Sequence, residues 1–331
     1  MYIVTGGAGF IGSNIVHELN AHGITDILIV DNFANARKFQ NLHGARYVDY
    51  LDKREFRRAI RDKSLGISRI EAILHQGACS NTLEDDGVYM LDNNFECTKE
   101  ILCFAIDKGV PLVFASTAAI YGLSGPGRFT LTLENERPLN IYGYSKLVFD
   151  NYFRNELALG RIPITAVGLR YFNVYGPREQ HKGRMASVIH HFSKQLKDSG
   201  TIRMFEGSGG YADGEQRRDF VFVKDLAKIN MFFAGLLPES PAGPVRGVVN
   251  AGTGEARTFK AVAEALMQVH GPGRIEYIPF PGDLKDRYQH FTEADATGLR
   301  QAGYTAPFTG LEEGVQETFA DEAGNGQEGA G

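Results

Sequence analysis

Tyr2-Ile3-Val4-Thr5-Gly6-Gly7-Ala8-Gly9-Phe10-Ile11-Gly12 opens the chain with a short apolar run, a glycine-rich turn and a helical pattern continued by Ile15, Val16 and Leu19. Strand, turn and helix in that order put the free N–H groups and positive dipole end of a helix beside the turn, an arrangement that suits a pyrophosphate. The glycines accept unusual dihedrals and let a ligand approach the backbone closely. Their spacing is Gly-x-x-Gly-x-x-Gly, a departure from the Gly-x-Gly-x-x-Gly of the standard dinucleotide fingerprint. The flanking strand and helix patterns make this a dinucleotide-binding turn; the glycines alone would be weak support.

Working outward, Ile27-Leu28-Ile29-Val30 ends at Asp31-Asn32, some 20 residues on, where an acid that binds a ribose 2′-hydroxyl is expected. Arg37, Lys38 and Lys53 follow, and a nearby cation accommodates a 2′-phosphate. NAD and NADP both stay open. Ala72–His75 leads into Gln76-Gly77-Ala78-Cys79-Ser80, and Leu112–Ala115 leads into Ser116-Thr117, with a helical pattern over Asn94–Ile106 between them. Strands alternating with helices predict an α/β fold, a doubly wound parallel (Rossmann) sheet. Such sheets bind ligands beyond the carboxyl ends of their strands, which places Thr117 on the same edge as the glycine turn.

The 331 residues are enough for two lobes. Hydrophobic residues make up 43% and charged residues 23%, an ordinary soluble composition. With 35 Lys plus Arg against 40 Asp plus Glu, the net charge of −5 argues against wholesale nucleic-acid binding. No apolar run approaches the ~18–20 residues of a membrane helix, and the first residues lack the charged segment and cleavage site of a signal peptide. Cys79, Cys97 and Cys103 form neither a CxxC pair nor an even set, so no metal site or disulfide framework is expected. The expectation is a cytoplasmic protein.

Of 14 tyrosines, only Tyr142 has a lysine four residues on, Lys146. On a helix the two share a face, and an ammonium beside a phenol favours the phenolate. That is a usable proton relay, although such a pair also occurs on solvated helix faces.

Thr5–Gly12, Thr117 followed by Ala118-Ala119-Ile120-Tyr121-Gly122, and Tyr142-x-x-x-Lys146 together resemble the extended short-chain dehydrogenase/reductases of the NAD-dependent epimerase/dehydratase family. The resemblance implies that Tyr142 exchanges a proton with a sugar hydroxyl, that Lys146 holds the nicotinamide ribose, and that Thr117 polarises the sugar oxygen. Ser116 is the fallback if the register slips by one. Further stretches narrow the resemblance, among them Asp92-Asn93-Asn94, Arg170–Glu179, His181-Lys182-Gly183 and Phe205-Glu206-Gly207-Ser208. They resemble the branch that inverts C6 of the heptose in an ADP-heptose by transient oxidation and re-reduction, in precursor supply for the lipopolysaccharide core. The similarity runs from residue 1 to about residue 320.

On that resemblance, the cofactor, NADP with NAD possible, lies on Gly6, Gly9, Phe10, Ile11 and Gly12 of the turn. Asp31, Asn32, Lys38 and Lys53 follow, then Gln76, Gly77, Ala78, Cys79 and Ser80, and finally Asn93, Lys146, Val174 and Lys182. The substrate is expected on Asn173, Arg184 and His191, with Phe205, Glu206, Gly207, Ser208, Arg218 and Tyr288 serving the ADP half. A sugar that turns over between two hydride transfers needs a second proton-transfer group, because one fixed group cannot serve both poses. Lys182 is the candidate. The family implies a homo-oligomer, a pentamer. Gln76 stands where an acid is familiar, Arg184 where a serine is, and Gly209–Gln216 is an insertion. Ala118 and Ala119 replace the carboxylates that a dehydratase would need; a nucleotide-sugar 4-epimerase is the nearest alternative, and a non-catalytic nucleotide-binding scaffold a more distant one.

The expected division is a dinucleotide-binding domain of residues 1–170 and 219–250 and a smaller, discontinuous α/β substrate domain of residues 171–218 and 251–322. The Gly- and Ala-rich tail, 323–331, is expected to be disordered.

Overall fold

Apolar runs punctuated by glycine turns build one large sheet in the computed structural model, in which residues 1–123, 125–280 and 288–326 are described, the last six of these as backbone alone. The first half runs β1 (Tyr2–Thr5), α1 (Phe10–Ala21), β2 (Ile27–Asp31), β3 (Asp49–Asp52), α2 (Lys53–Arg61) and β4 (Ala72–His75). A short α3 (Gly87–Met90) passes through a π-helical turn, Leu91–Glu96, into α4 (Cys97–Lys108); β5 (Leu112–Thr117), α5 (Ile141–Ala158) and β6 (Ala166–Tyr171) follow. Local chemistry sets several ends. Asn140 accepts a hydrogen bond from Gly143 N–H at the start of α5, and Gly109, with φ +69°, closes α4 in the left-handed region.

Beyond β6 come β7 (Asn173–Tyr175), α6 (Val188–Ser199), β8 (Thr201–Phe205), β9 (Arg217–Phe222), α7 (Val223–Phe233) and β10 (Arg246–Ala251). The chain continues through β11 (Ala256–Thr258), α8 (Phe259–His270), β12 (Arg274–Ile278), α9 (Thr297–Gln301) and α10 (Leu311–Gly326). The final helix thus reaches into the expected tail, of which residues 327–331 lie outside the described residues.

The large sheet has the order β10-β6-β5-β4-β1-β2-β3, all parallel. Strand order reverses between β1 and β4, the switch point where such sheets open a crevice. Register aligns Thr5 with His75 and Thr117 with Tyr171, so the carboxyl ends of β1, β4, β5 and β6 form one edge. Two apolar layers cover the sheet: one gathers Ile15, Val16 and Leu19 of α1 with Leu226, Ile229 and Phe232 of α7, the other Phe56, Ile101, Phe149 and Phe153.

A separate core joins α6, α8 and α10 to β8 through Phe192, Leu196, Met204, Leu266 and Phe319. It belongs to the smaller lobe, with the pair β12-β8 at its edge and the ribbon β11-β9-β7 linking it to the large sheet. The expected boundary at residue 219 falls inside β9. Leu299 and Tyr304 pack into the core of the large sheet although they follow the smaller lobe in sequence.

Candidate active site

The aligned strand ends, the smaller lobe and the turn Gln180–Met185 enclose a cavity of about 1060 Å³. At one end lies the glycine turn. Gly6 has φ +65°, and a Cβ at Gly12 would come within 2.1 Å of the Gly6 carbonyl oxygen, so neither position admits a side chain. α1 begins at Gly9 with no side-chain cap and no acid in its first turn, leaving first-turn N–H groups available to an anion. The residues present therefore fit a dinucleotide pyrophosphate.

Asp31 is buried and fully engaged. One carboxylate oxygen accepts from Ala8 N–H at 2.9 Å; the other accepts from Asn32 N–H at 2.6 Å and from the Lys38 ammonium at 2.8 Å. The acid thereby shapes the glycine turn and holds a cation at the cavity wall. Lys53 donates to Asn93 Oδ1 at 2.6 Å, and burial lowers its pKa. Both ammoniums line the cavity.

Gln76 sits in a closed ring of hydrogen bonds. Its amide donates to Asn230 Oδ1 at 2.9 Å, Asn230 donates to the Tyr171 hydroxyl at 2.8 Å, and Tyr171 donates to Gln76 Oε1 at 2.9 Å. A carboxylate here could not donate, which accounts for the amide in this chain. Gly77, Ala78 and Ser80 line the cavity, while Cys79 does not. Instead the Cys79 backbone is held from both sides by Asn94, whose Nδ2 also donates to Ser145 Oγ at 3.0 Å. Asn94, in the π-helical turn, thus joins the loop after β4 to the first turn of α5; nothing in its sequence context announced that role.

Tyr142 and Lys146 lie one turn apart on α5 and both line the cavity. Burial pushes the Tyr142 phenol above its ordinary range, and a hydrogen bond with Thr117 opposes that shift. The expected lowering by Lys146 does not occur: the ammonium turns to the Ala115 carbonyl at 3.0 Å, and desolvation dominates at the phenol. Burial also lowers Lys146, to about 8, against the pull of Asp150. Thr117 both caps the next turn, accepting from Ala119 N–H at 3.1 Å, and meets Tyr142. Ser116, the fallback, also lines the cavity, but its hydroxyl is engaged elsewhere. Its hydroxyl donates to the Asp150 carboxylate at 3.0 Å, because adjacent strand residues face opposite sides of the sheet. Behind it Asp150, Arg170 and Glu136 form a buried ionic network.

The turn carrying Lys182 breaks at Gly183, with φ 54° and ψ −122°. Lys182 Nζ lies 5.2 Å from the centre of the Phe10 ring, and burial lowers its pKa while Glu179 opposes the shift. Glu179, missed in the sequence, clamps the segment by accepting from Ser187 N–H at 2.5 Å and from its hydroxyl at 2.7 Å. His181 contacts Asn41 at 3.0 Å and is held neutral by burial, its pKa lowered to about 4. Arg184 and His191 line the same wall, as do Asn173 and Val174.

At the far end Arg218 is buried with its guanidinium 4.9 Å from the Tyr288 ring and 5.6 Å from Phe259. Among the described residues no carboxylate forms an ion pair with it, which leaves a cation for an anionic ligand. Phe205 and Tyr288 line this end, but Glu206, Gly207 and Ser208 do not; Ser208 Oγ faces His290 at 3.2 Å. Gln216, Gln289 and Thr292 also reach the cavity, unforeseen because isolated polar residues carry no motif.

Residues 2–252 match the model of the NAD dependent epimerase/dehydratase family. The ADP-L-glycero-D-manno-heptose-6-epimerase of Alkalilimnicola ehrlichii is 53% identical over 316 residues, covering 96% of this chain and 95% of that protein. The crystal structure of the Helicobacter pylori ADP-L-glycero-D-manno-heptose-6-epimerase gives a TM-score of 0.80 at 27% identity, covering 97% of this chain and 95% of that one. The UDP-glucose 4-epimerase of Thermus thermophilus, solved in complex with NAD, gives 0.74 at 29% identity, covering 98% and 99%.

Proposed function

The chain belongs to the NAD-dependent epimerase/dehydratase family and is an epimerase, and we propose that it inverts C6 of the heptose in ADP-D-glycero-D-manno-heptose to give the L-glycero epimer. The observation that carries this reading is the convergence of Tyr142, Thr117, Lys146 and Lys182 on one cavity that begins at the glycine turn and ends at Arg218. A nicotinamide cofactor, when bound, supplies a reversible hydride acceptor. The first turn of α1 would hold its pyrophosphate. Lys38 and Lys53 favour a 2′-phosphate and hence NADP, since Asp31 already spends both oxygens within the protein.

In this reading Thr117 and Tyr142 hold the C6 oxygen, and Tyr142 moves its proton as the carbon passes between alcohol and ketone. Lys146 stays charged to orient the ribose. After the ketone reorients, Lys182 serves the oxygen from the opposite wall; burial brings its pKa down toward a useful range. Arg218 binds the diphosphate side, where a guanidinium matches phosphate oxygens. The two-lobe division, a homo-oligomeric state and a cytoplasmic location complete the proposal; among the described residues no helix is long and apolar enough to cross a membrane.

The test is to identify the cofactor released from the purified protein and to follow the heptose C6 configuration by NMR. Cofactor present without inversion overturns the assignment, and C4 inversion of a UDP-hexose would favour a 4-epimerase. Tyr142→Phe and Lys182→Met, singly and together, separate the two proton-transfer groups. Wild-type turnover of both epimers by the Lys182 variant would refute its part.

A further inference from the structure

We infer that Gln216 selects the base of the nucleotide sugar by accepting a hydrogen bond from the exocyclic amino group of adenine. The inference rests on the nucleotide-sugar reading of the cavity and concerns the end farthest from the glycine turn. There the walls are Phe205, Ile278 and Tyr288, apolar and aromatic surface beside one buried guanidinium, Arg218. A flat base suits the first and a diphosphate the second.

Gln216 is 2% exposed and lines this end. Its Nε2 donates to the Glu206 carbonyl at 3.0 Å and to Ser208 Oγ at 3.3 Å. A backbone carbonyl can only accept, so the amide orientation is fixed and Oε1 is the atom left over. Among the described residues no donor reaches Oε1. Among the described residues only Arg170 Nη1 is an enclosed side-chain polar atom without a partner, so Gln216 Oε1 instead opens onto the cavity, where the N–H group of a ligand can reach it.

The insertion Gly209–Gln216 is what delivers the side chain. Gly207 N–H donates to Asp213 at 2.6 Å, and backbone bonds from Tyr211 to Ser208 and from Glu215 to Ala212 close the turn. Its C-terminal end is tied to α8, where Lys260 N–H donates to Gly214 and Phe259 N–H to Gln216. A Cβ at Gly209 would sit 2.5 Å from the His290 ring, so the turn packs too closely there to shift. The insertion therefore forms a folded support that aims one amide at the base.

Adenine offers an amino group at C6; hypoxanthine and uracil offer a carbonyl oxygen, which would face Oε1 acceptor to acceptor. Calorimetric titration of the cofactor-loaded protein with ADP and with IDP tests that exchange, in which the C6 amino donor becomes a carbonyl oxygen and N1 gains a hydrogen. Wild type should bind ADP about tenfold more tightly or better, and Gln216→Leu should bring the ratio close to 1 mainly by weakening ADP. Gln216→Met, of similar length, guards against a folding defect, which retained cofactor content and far-UV circular dichroism would reveal. Equal binding of ADP and IDP by wild type overturns the inference, as does an unchanged ratio in the folded variants. Failure of ADP to bind at all removes the nucleotide-sugar reading itself, a distinct result.

Discussion

Asp219→Asn should destabilise the protein although it changes one atom. The buried carboxylate accepts four hydrogen bonds: from Thr253 N–H at 2.8 Å, Thr253 Oγ at 2.7 Å, Gly254 N–H at 2.9 Å and Ala294 N–H at 2.9 Å. Asparagine has one carbonyl oxygen. In its better orientation this oxygen serves Gly254 and Ala294, the Thr253 hydroxyl turns to accept from the new amide, and Thr253 N–H is stranded. A stranded buried donor costs ~1–3 kcal/mol. The surviving bonds lose charge assistance, together ~2 kcal/mol, and relief of carboxylate desolvation offsets part of the sum. The expected loss is about 2–4 kcal/mol. With no tryptophan in the chain, urea unfolding followed by far-UV circular dichroism is the assay. Because Asp219 ties β9 to the 251–254 turn one residue from Arg218, KM for the nucleotide sugar should rise more than kcat falls. A variant within about 0.5 kcal/mol of wild type would refute the claim that these donors depend on the carboxylate.

Three further outcomes are expected. His75, held between Thr5 and Thr98, has its pKa lowered to about 3, chiefly by burial and then by Lys146. The neutral ring's contribution is present above about pH 6.5 and lost as pH falls from there toward 3, so His75→Gln should show a flatter acid limb in pH-dependent unfolding. Lys146, lowered to about 8, loses its charge as pH rises through that value. Affinity for the nicotinamide cofactor should therefore fall above about pH 8 in wild type but not in Lys146→Arg, as measured by fluorescence titration. Gln76→Glu removes the donor to Asn230 and sets a carboxylate against its oxygen; a stability loss of ~1–3 kcal/mol by thermal or urea unfolding is expected, and no loss would mean the ring is not needed.

By itself the sequence determined the architecture. Alternating apolar runs and helical patterns around a glycine turn fix a parallel doubly wound sheet, since strand–helix–strand units connect in one hand and order, and the Tyr142, Lys146 and Thr117 set was legible because α5 and β5 are regular. The tertiary structure decided what regular periodicity cannot carry. It turned the Ser116 hydroxyl to Asp150 and the Lys146 ammonium to the Ala115 carbonyl, buried the Tyr142 phenol, and spent Asp31 on Ala8 and Lys38. It also brought Gln216, Glu179 and Asn94 to the site or behind it. These depend on contacts between residues far apart in the chain and on desolvation within a closed cavity. Local sequence specifies the elements; which polar atoms are left free to meet a ligand is settled only when every neighbour has taken its hydrogen bonds.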